Sequence, residues 1–427
     1  MNQKFEECSK SEVDFNRNPV IQTALENSVW DKIEAKYALT NSTIEFEITR
    51  SNDRYIDLSE IQLFLQVKFK DVGNNNISVS NNILHTLISN VEVKINNTTV
   101  SNTSSKYHYK AYIENLLGFN KESKDTFLKC EGWYDDNDFD VLKLTSKDNA
   151  PINKGYVSRN ELIKSDRIVE LSGMLHIDIS SVDRLLMNNN NVLISLKKNE
   201  NKVILLGDAT DISKVSIEYS QAFILVRRVT VSPSLMLSNT MLLEKQPATY
   251  PFKRVRVIEI SGTFNSTICT FTDITSGVMP TRVIVGFVET KAFTGDYNLN
   301  PYNFKNFNIS SAILKVNSTN VPYSSDLEFN FEKKNYHQAY NTLLKGIKYV
   351  SNGISYSNYP DGNMLMAFNL SPDLCNEHLS LNKDGKLHMT IKLKEGSSTA
   401  ITGIFYLEFD NSFQINKSGA VALDYTP

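Results

Sequence analysis

Four acids within six residues, Asp135, Asp136, Asp138 and Asp140, form the densest set of side chains in the sequence that could hold a cation. The spacing of Asp136, Asp138 and Asp140 matches the first three ligands of an EF-hand calcium loop. Position six needs glycine for its sharp turn and is Val141; position twelve needs a bidentate glutamate and is Lys147. The EF-hand reading fails. A looser cation site between subunits, or a solvated acidic loop, remains. The six histidines (His85, His108, His176, His337, His378, His388) include no HxH or HxxxH pair. His176 sits in an alternating strand pattern and reads as a satisfied sandwich residue without a metal. There is no GxxxxGK[ST] phosphate loop and no GxSxG nucleophile elbow. Carboxylates are numerous, but nothing singles out a pair for glycoside hydrolysis. No catalytic residue, cofactor or resident metal is expected.

The elements that would position such residues are strands. "STIEFEI" alternates with period two, "YIDLSEIQLFLQVKFK" gives two more strands, and "ILHTLISNVEVKIN" continues the pattern. Later come "NVLISLKK", "KVSIEYSQAFILVRRVTV", "TYPFKRVRVIEISGTF", "TRVIVGFVE", "GKLHMTIKLKE" and "GIFYLEF". The long βαβ spacing of doubly wound and (β/α) barrel folds is missing. With 427 residues, the chain suits two domains of average size.

The net charge of −3 gives no bulk electrostatic case for coating nucleic acid. The two dense basic stretches, "LVRRV" at 225–229 and "KRVRV" at 253–257, read as basic strands facing an interface. Cys8, Cys130, Cys269 and Cys375 lie far apart and read as reduced thiols of an intracellular protein. The first residues carry too many acids and no apolar stretch for a signal peptide. No run approaches the ~20 apolar residues of a membrane helix.

The chain also repeats itself. "KINNTTVSNTSSKYHYKAYIENLL" from Lys94 is answered by "KVNSTNVPYSSDLEFNFEKKNYHQAYNTLL" from Lys315. Both have a Lys-aliphatic-Asn strand end, a turn, a histidine (His108, His337) and an Ala-Tyr helix start. "GMLHIDISSVD" from Gly173 answers "GNMLMAFNLSPD" from Gly362, with Asp183 opposite Asp373; "NVLISLKK" answers "KLHMTIKLKE"; "VSIEYSQAFIL" answers "ITGIFYLEFD". A histidine present in both copies points to a structural role, such as a cap or an inter-element hydrogen bond. The expected fold is all-β: two tandem eight-stranded jelly rolls, a double jelly roll, with short helices in loops. The boundaries read as an N-terminal arm over 1–35, a first roll over 36–231, a linker over 232–247, a second roll over 248–415 and a tail over 416–427. The first roll carries a long irregular loop over 118–172, about fifty-five residues against about nineteen at the same place in the second. With Trp133, Tyr134 and the acids, it is expected to be exposed or to reach a neighbouring assembly unit.

Several strings carry a family resemblance. "NPVIQTALENSVW" followed by "IEFEITRSNDRYIDLSEIQLFLQVKF", then "KDTFLKCEGWYDD", "MPTRVIVGFVET" and "NPYNFKNFN" resemble the major capsid proteins of Polinton/Maverick elements and adintovirus-like viruses. The resemblance spans roughly residues 17–415. It implies a subunit that associates as a homotrimeric, pseudo-hexameric capsomer. Many capsomers would tile an icosahedral shell around double-stranded DNA, without sequence-specific binding. It also implies penton and minor capsid proteins as partners, and a virion capsid assembled inside the host cell.

For such a protein the working site is an interface. The candidates are Trp30, Tyr37, Trp133, Tyr134, Phe252, Tyr302, Phe304 and Phe307, each of which could instead fill its own sandwich core. A penton- or spike-like or lectin-like double-sandwich binding protein is the alternative reading. An enzyme on the same fold is a third, for which no residue is nominated.

Overall fold

The computed structural model describes residues 15, 21–73, 75–145, 152–164, 166–262, 265–372, 374, 379–381 and 383–426. Cys8, Asp373, Cys375 and His378 lie outside the described residues.

The first half contains strands β1 (Leu25–Glu34), β2 (Thr43–Ile48), β3 (Arg54–Lys70), β4 (Ile77–Val79), β5 (Ile88–Ile95), β6 (Thr98–Asn102), β7 (Ile168–Met174), β8 (Val192–Lys198), β9 (Leu205–Gly207) and β10 (Ser216–Val231). The second contains β11 (Ala248–Ser261), β12 (Ile268–Val278), β13 (Arg282–Glu289), β14 (Ile309–Val316), β15 (Thr319–Asn320), β16 (Leu327–Glu328), β17 (Leu365–Asn369), β18 (Asp384–Leu393), β19 (Ile401–Ile415) and β20 (Val421–Leu423).

The two halves have the same topology. One face of the first is ordered β1-β10-β3-β7, and its counterpart in the second is β11-β19-β13-β17. The other face is β2-β8-β5-β6 in the first and β12-β18-β14-β15 in the second. These are two eight-stranded jelly rolls. The second gains β16 and β20 at its margins, and the first gains a small β4–β9 ribbon. The helix Tyr107–Gly118 follows β6, and the helix His337–Gly346 occupies the matching place after β16.

Local chemistry explains the repeated strand ends. Asn96 and Asn97 both take positive φ (49° and 67°) in the turn from β5 to β6, as a type I′ hairpin requires. Asn317 takes φ 55° in the equivalent turn from β14 to β15. Asparagine tolerates this left-handed backbone better than most residues. Along β3 the alternation of buried and half-exposed residues puts Ile61, Leu63, Leu65, Val67 and Phe69 on the core face.

Residues Leu25–Glu34, inside the segment read as an arm, pair along β10 as the edge strand of the first roll. The segment read as a linker holds the helix Pro233–Leu243. The long loop of the first roll contains the helices Lys121–Asp125 and Lys154–Ile163 and the 3-10 turn Phe127–Glu131.

The rolls exchange side chains. Tyr250, Phe252, Phe413 and Ile415, from the ends of β11 and β19, complete the core of the first roll. Tyr109, Tyr112, Ile113, Leu116, Leu117, Leu128 and Trp133 from the first half complete the core of the second. β19 is buried along nearly its whole length because it is covered on both sides.

Candidate assembly surfaces and the seam between the rolls

The helix Tyr107–Gly118 carries its apolar residues at helical spacing, so Tyr109, Tyr112, Ile113, Leu116 and Leu117 share a broad stripe. That stripe faces the second roll. Tyr112 and Tyr302 stack with ring centroids 4.1 Å apart, and Trp133 stacks on Tyr112 at 5.1 Å. The Tyr109 hydroxyl donates to the Pro301 carbonyl at 3.1 Å, and the Tyr302 hydroxyl pairs with the Thr86 hydroxyl at 2.6 Å. Phe304 is fully buried in the same cluster.

Trp133, Tyr302, Phe304 and Phe252 are thus buried within the chain. Phe252 packs against Phe413 and Tyr425. Tyr134 is half-buried beneath the Lys129 ammonium, and Phe307 is half-buried against the second core. Only Trp30 and Tyr37 stand well out in solvent, at 46% and 53% exposure.

The acidic stretch follows Trp133 along the seam, where the Asp136 side chain is buried while Asp135 and Asp140 stay exposed. Asp135 accepts from the Trp133 indole N–H at 2.7 Å. Asp136 forms a fully buried ion pair with Arg159 at 2.8 Å and accepts from Asn300 of the second roll at 3.3 Å. Asp138 accepts the Asp140 backbone N–H at 3.1 Å. Asp140 pairs with Lys305 at 2.8 Å and accepts from Asn303 at 3.0 Å, both in the second roll. Asp135, Asp136 and Asp140 thus each accept from side chains of the protein itself.

The basic strands are also neutralised from within. Arg227 pairs with Asp57 at 2.9 Å, Arg228 with Asp31 at 2.7 Å, and Lys253 with Asp410 at 2.9 Å. Arg254 lies over the Phe409 and Tyr425 rings and donates to Asn411 at 2.9 Å. The expected interface for these strands is therefore the chain's own, except for Arg256, which is exposed.

A buried polar network runs beside the seam. Lys110 and Asp178 form an ion pair at 2.5 Å. Glu114 accepts from the Tyr406 hydroxyl of β19 at 2.9 Å and bonds His176 Nδ1 at 2.6 Å. Burial pushes the Glu114 carboxyl up, but Lys110 and His176 outweigh it and hold it at about 2. His85 bonds the Tyr107 hydroxyl through Nδ1 at 2.9 Å and Glu131 through Nε2 at 3.2 Å. The two repeated histidines differ in setting. His337 is exposed and bonds Tyr356 at 3.1 Å, whereas His108 is buried and its Nδ1 has no partner among the described residues.

One surface escaped the sequence reading. The helix Pro233–Leu243 buries none of its residues, and Leu237, Met241 and Leu242 stand in solvent. Its start is tied to the residue before β1 by the Ser232 N–H to the Ala24 carbonyl at 2.9 Å. β1 itself exposes Leu25, Val29 and Trp30. Apolar side chains exposed on a helix and on an edge strand joined to it at one end mark a surface suited to association. Among the described residues no helix is long and apolar enough to cross a membrane.

No family model matches the chain. An uncharacterized protein of Caenorhabditis elegans, F54H12.2, is 22% identical over 93% of this chain and 97% of its own length. Among solved structures, a chain of the Sputnik virophage superposes with a TM-score of 0.61 at 10% identity, covering 99% of this chain and 94% of that one. The VP54 protein of PBCV-1 gives 0.60 at 11% identity over 97% and 100%. The mavirus major capsid protein gives 0.51 at 13% identity over 99% and 97%. The whole chain, both rolls in order, therefore has the double jelly-roll fold found in viral major capsid proteins.

Proposed function

We propose that this chain is a major capsid protein, a structural subunit without catalytic duty. The observation that carries the reading is the duplication. Two rolls of identical strand order, fused in one chain, follow mavirus major capsid protein over nearly their full length. Three such chains would place six rolls around a ring, the geometry of a pseudo-hexameric capsomer. Capsomers of this kind would tile an icosahedral shell enclosing double-stranded DNA, with penton and minor capsid proteins at the remaining positions. The internal pairing of the basic strands suits a shell that does not itself condense the genome. The strings that resemble the proteins of Polinton/Maverick elements and adintovirus-like viruses favour that lineage. The exposed apolar side chains of β1 and of the helix Pro233–Leu243, with Trp30 and Tyr37, are the surfaces we assign to contacts between copies.

The deciding measurement is the absolute mass of the purified chain by light scattering after size exclusion. A species of three times 48.4 kDa is expected, with shells visible by electron microscopy. A monomer at every concentration would overturn the reading.

A further inference from the structure

Three side chains from separate elements converge beside the seam with no role in the capsid reading. His85 comes from the short helix Ile83–Thr86, Glu131 from the end of the 3-10 turn, and His176 from just beyond β7. One ligand atom from each lies within 4.8 Å of the others. His85 and Glu131 are buried and His176 nearly so.

We propose that His85, Glu131 and His176 form a buried transition-metal site, of the class that takes Zn2+, which clamps the insertion 119–167 to the first roll.

The arrangement of the second partners supports this. Ligating imidazoles give their other ring nitrogen to a neighbouring acceptor, which fixes ring and tautomer. His85 Nδ1 pairs with the Tyr107 hydroxyl at 2.9 Å, and His176 Nδ1 with Glu114 at 2.6 Å. The Glu131 carboxylate is oriented by the Asn115 amide at 2.7 Å. His85 Nε2 and Glu131 Oε2 are 3.2 Å apart. A charge-assisted hydrogen bond is normally tighter, about 2.7–2.9 Å. Two ligands at about 2.0–2.1 Å on a tetrahedral ion stand about 3.3 Å apart.

Lys110 is taken by Asp178 and Glu114, whereas Glu131 pairs with His85. The site is also shaped: a Cβ on Gly173 would run into the Glu131 carboxylate. Two histidines and a glutamate are a zinc ligand set with a fourth position left open.

The test uses the full-length chain, stripped with EDTA and titrated with Co2+ and then Zn2+. The expected result is about one Co2+ per chain with intense tetrahedral visible bands, displaced by Zn2+, and a higher melting temperature with Zn2+. His176→Ala, the most peripheral change, is expected to weaken binding at least ~10-fold. A cobalt spectrum no different from the free aquo ion, with no thermal shift by Zn2+, would overturn the proposal. So would equal binding by His176→Ala and the intact chain. The cobalt spectrum of the intact chain decides the question even where a variant fails to fold.

Discussion

Tyr112 of the first roll and Tyr302 of the second lie ring on ring, with centroids 4.1 Å apart and planes 2° from parallel. The helix that carries Tyr112 completes the neighbouring core, and the ends of β11 and β19 return the exchange. The rolls are therefore interlocked, and their stabilities are shared.

Replacing Tyr302 by alanine is expected to cost about 3–5 kcal/mol, because it opens a cavity between the rolls and removes one of the two partners of the Thr86 hydroxyl. Chemical denaturation reads the loss. Combining Tyr302→Ala with Tyr112→Ala is expected to reveal a coupling of about 0.5–1.5 kcal/mol. Strict additivity would contradict the stacking.

Asp136 and Arg159 form an ion pair with both side chains fully buried. Asp136→Leu leaves the guanidinium without its counter-charge and is expected to cost about 3–5 kcal/mol. Pairing it with Arg159→Met is expected to recover part of that loss, though the Val79 and Tyr134 carbonyls also lose a donor. Measured melting temperatures of the two singles and the double decide it.

Burial pushes the His108 pKa down to about 3, and Lys106 adds to the effect. The folded state thus holds a neutral imidazole that the unfolded chain protonates near 6.5. This contribution to stability is complete above pH 6.5 and is lost as pH falls toward 3, by at most about 1.4 kcal/mol per pH unit. Glu114 adds a second loss, from about 4.5 down to about 2. His108→Phe is expected to flatten the decline between pH 6.5 and 5, as seen in denaturation midpoints across that range. An unchanged slope would show that His108 is not buried neutral.

Leu237→Lys with Met241→Lys places charge on a helix that buries nothing. Monomer stability is expected to change by no more than about 0.5 kcal/mol. Self-association, read by light scattering, is expected to fall. Full assembly by the double variant would move the contact surface elsewhere.

Removing residues 1–20 leaves β1 whole, whereas removing 1–30 takes the first six residues of β1 and part of the sheet pairing with β10. The shorter deletion is expected to keep the melting temperature of the intact chain and the longer one to lower it. Circular dichroism melts compare the two.

The duplicated architecture was legible because strand alternation and turn chemistry are local. Asn96-Asn97 and Asn317 announce the same hairpin, and the Ala-Tyr helix starts announce the same helix. The seam was not legible. Trp133, Tyr302 and Phe304 would have the same composition and spacing whether they met another subunit or the other half of their own chain. β1 was missed as a strand because an edge strand exposed on both sides shows no clean alternation. The helix Pro233–Leu243 passed for a polar connector because serine, asparagine and threonine interleave its leucines and methionines. His85, Glu131 and His176 are far apart in sequence, and only the fold brings them together.

The insertion between the helix Tyr107–Gly118 and β7 has no helical equivalent before β17 in the second half. A ring of six identical single-roll subunits would have to carry any such addition six times, with no freedom to keep a plain neighbour. Fusing two rolls in one gene lifts that constraint. One copy can carry its own buried chemistry, as the first does with Trp133, Asp136 and Arg159, while its twin supplies the surface that receives it.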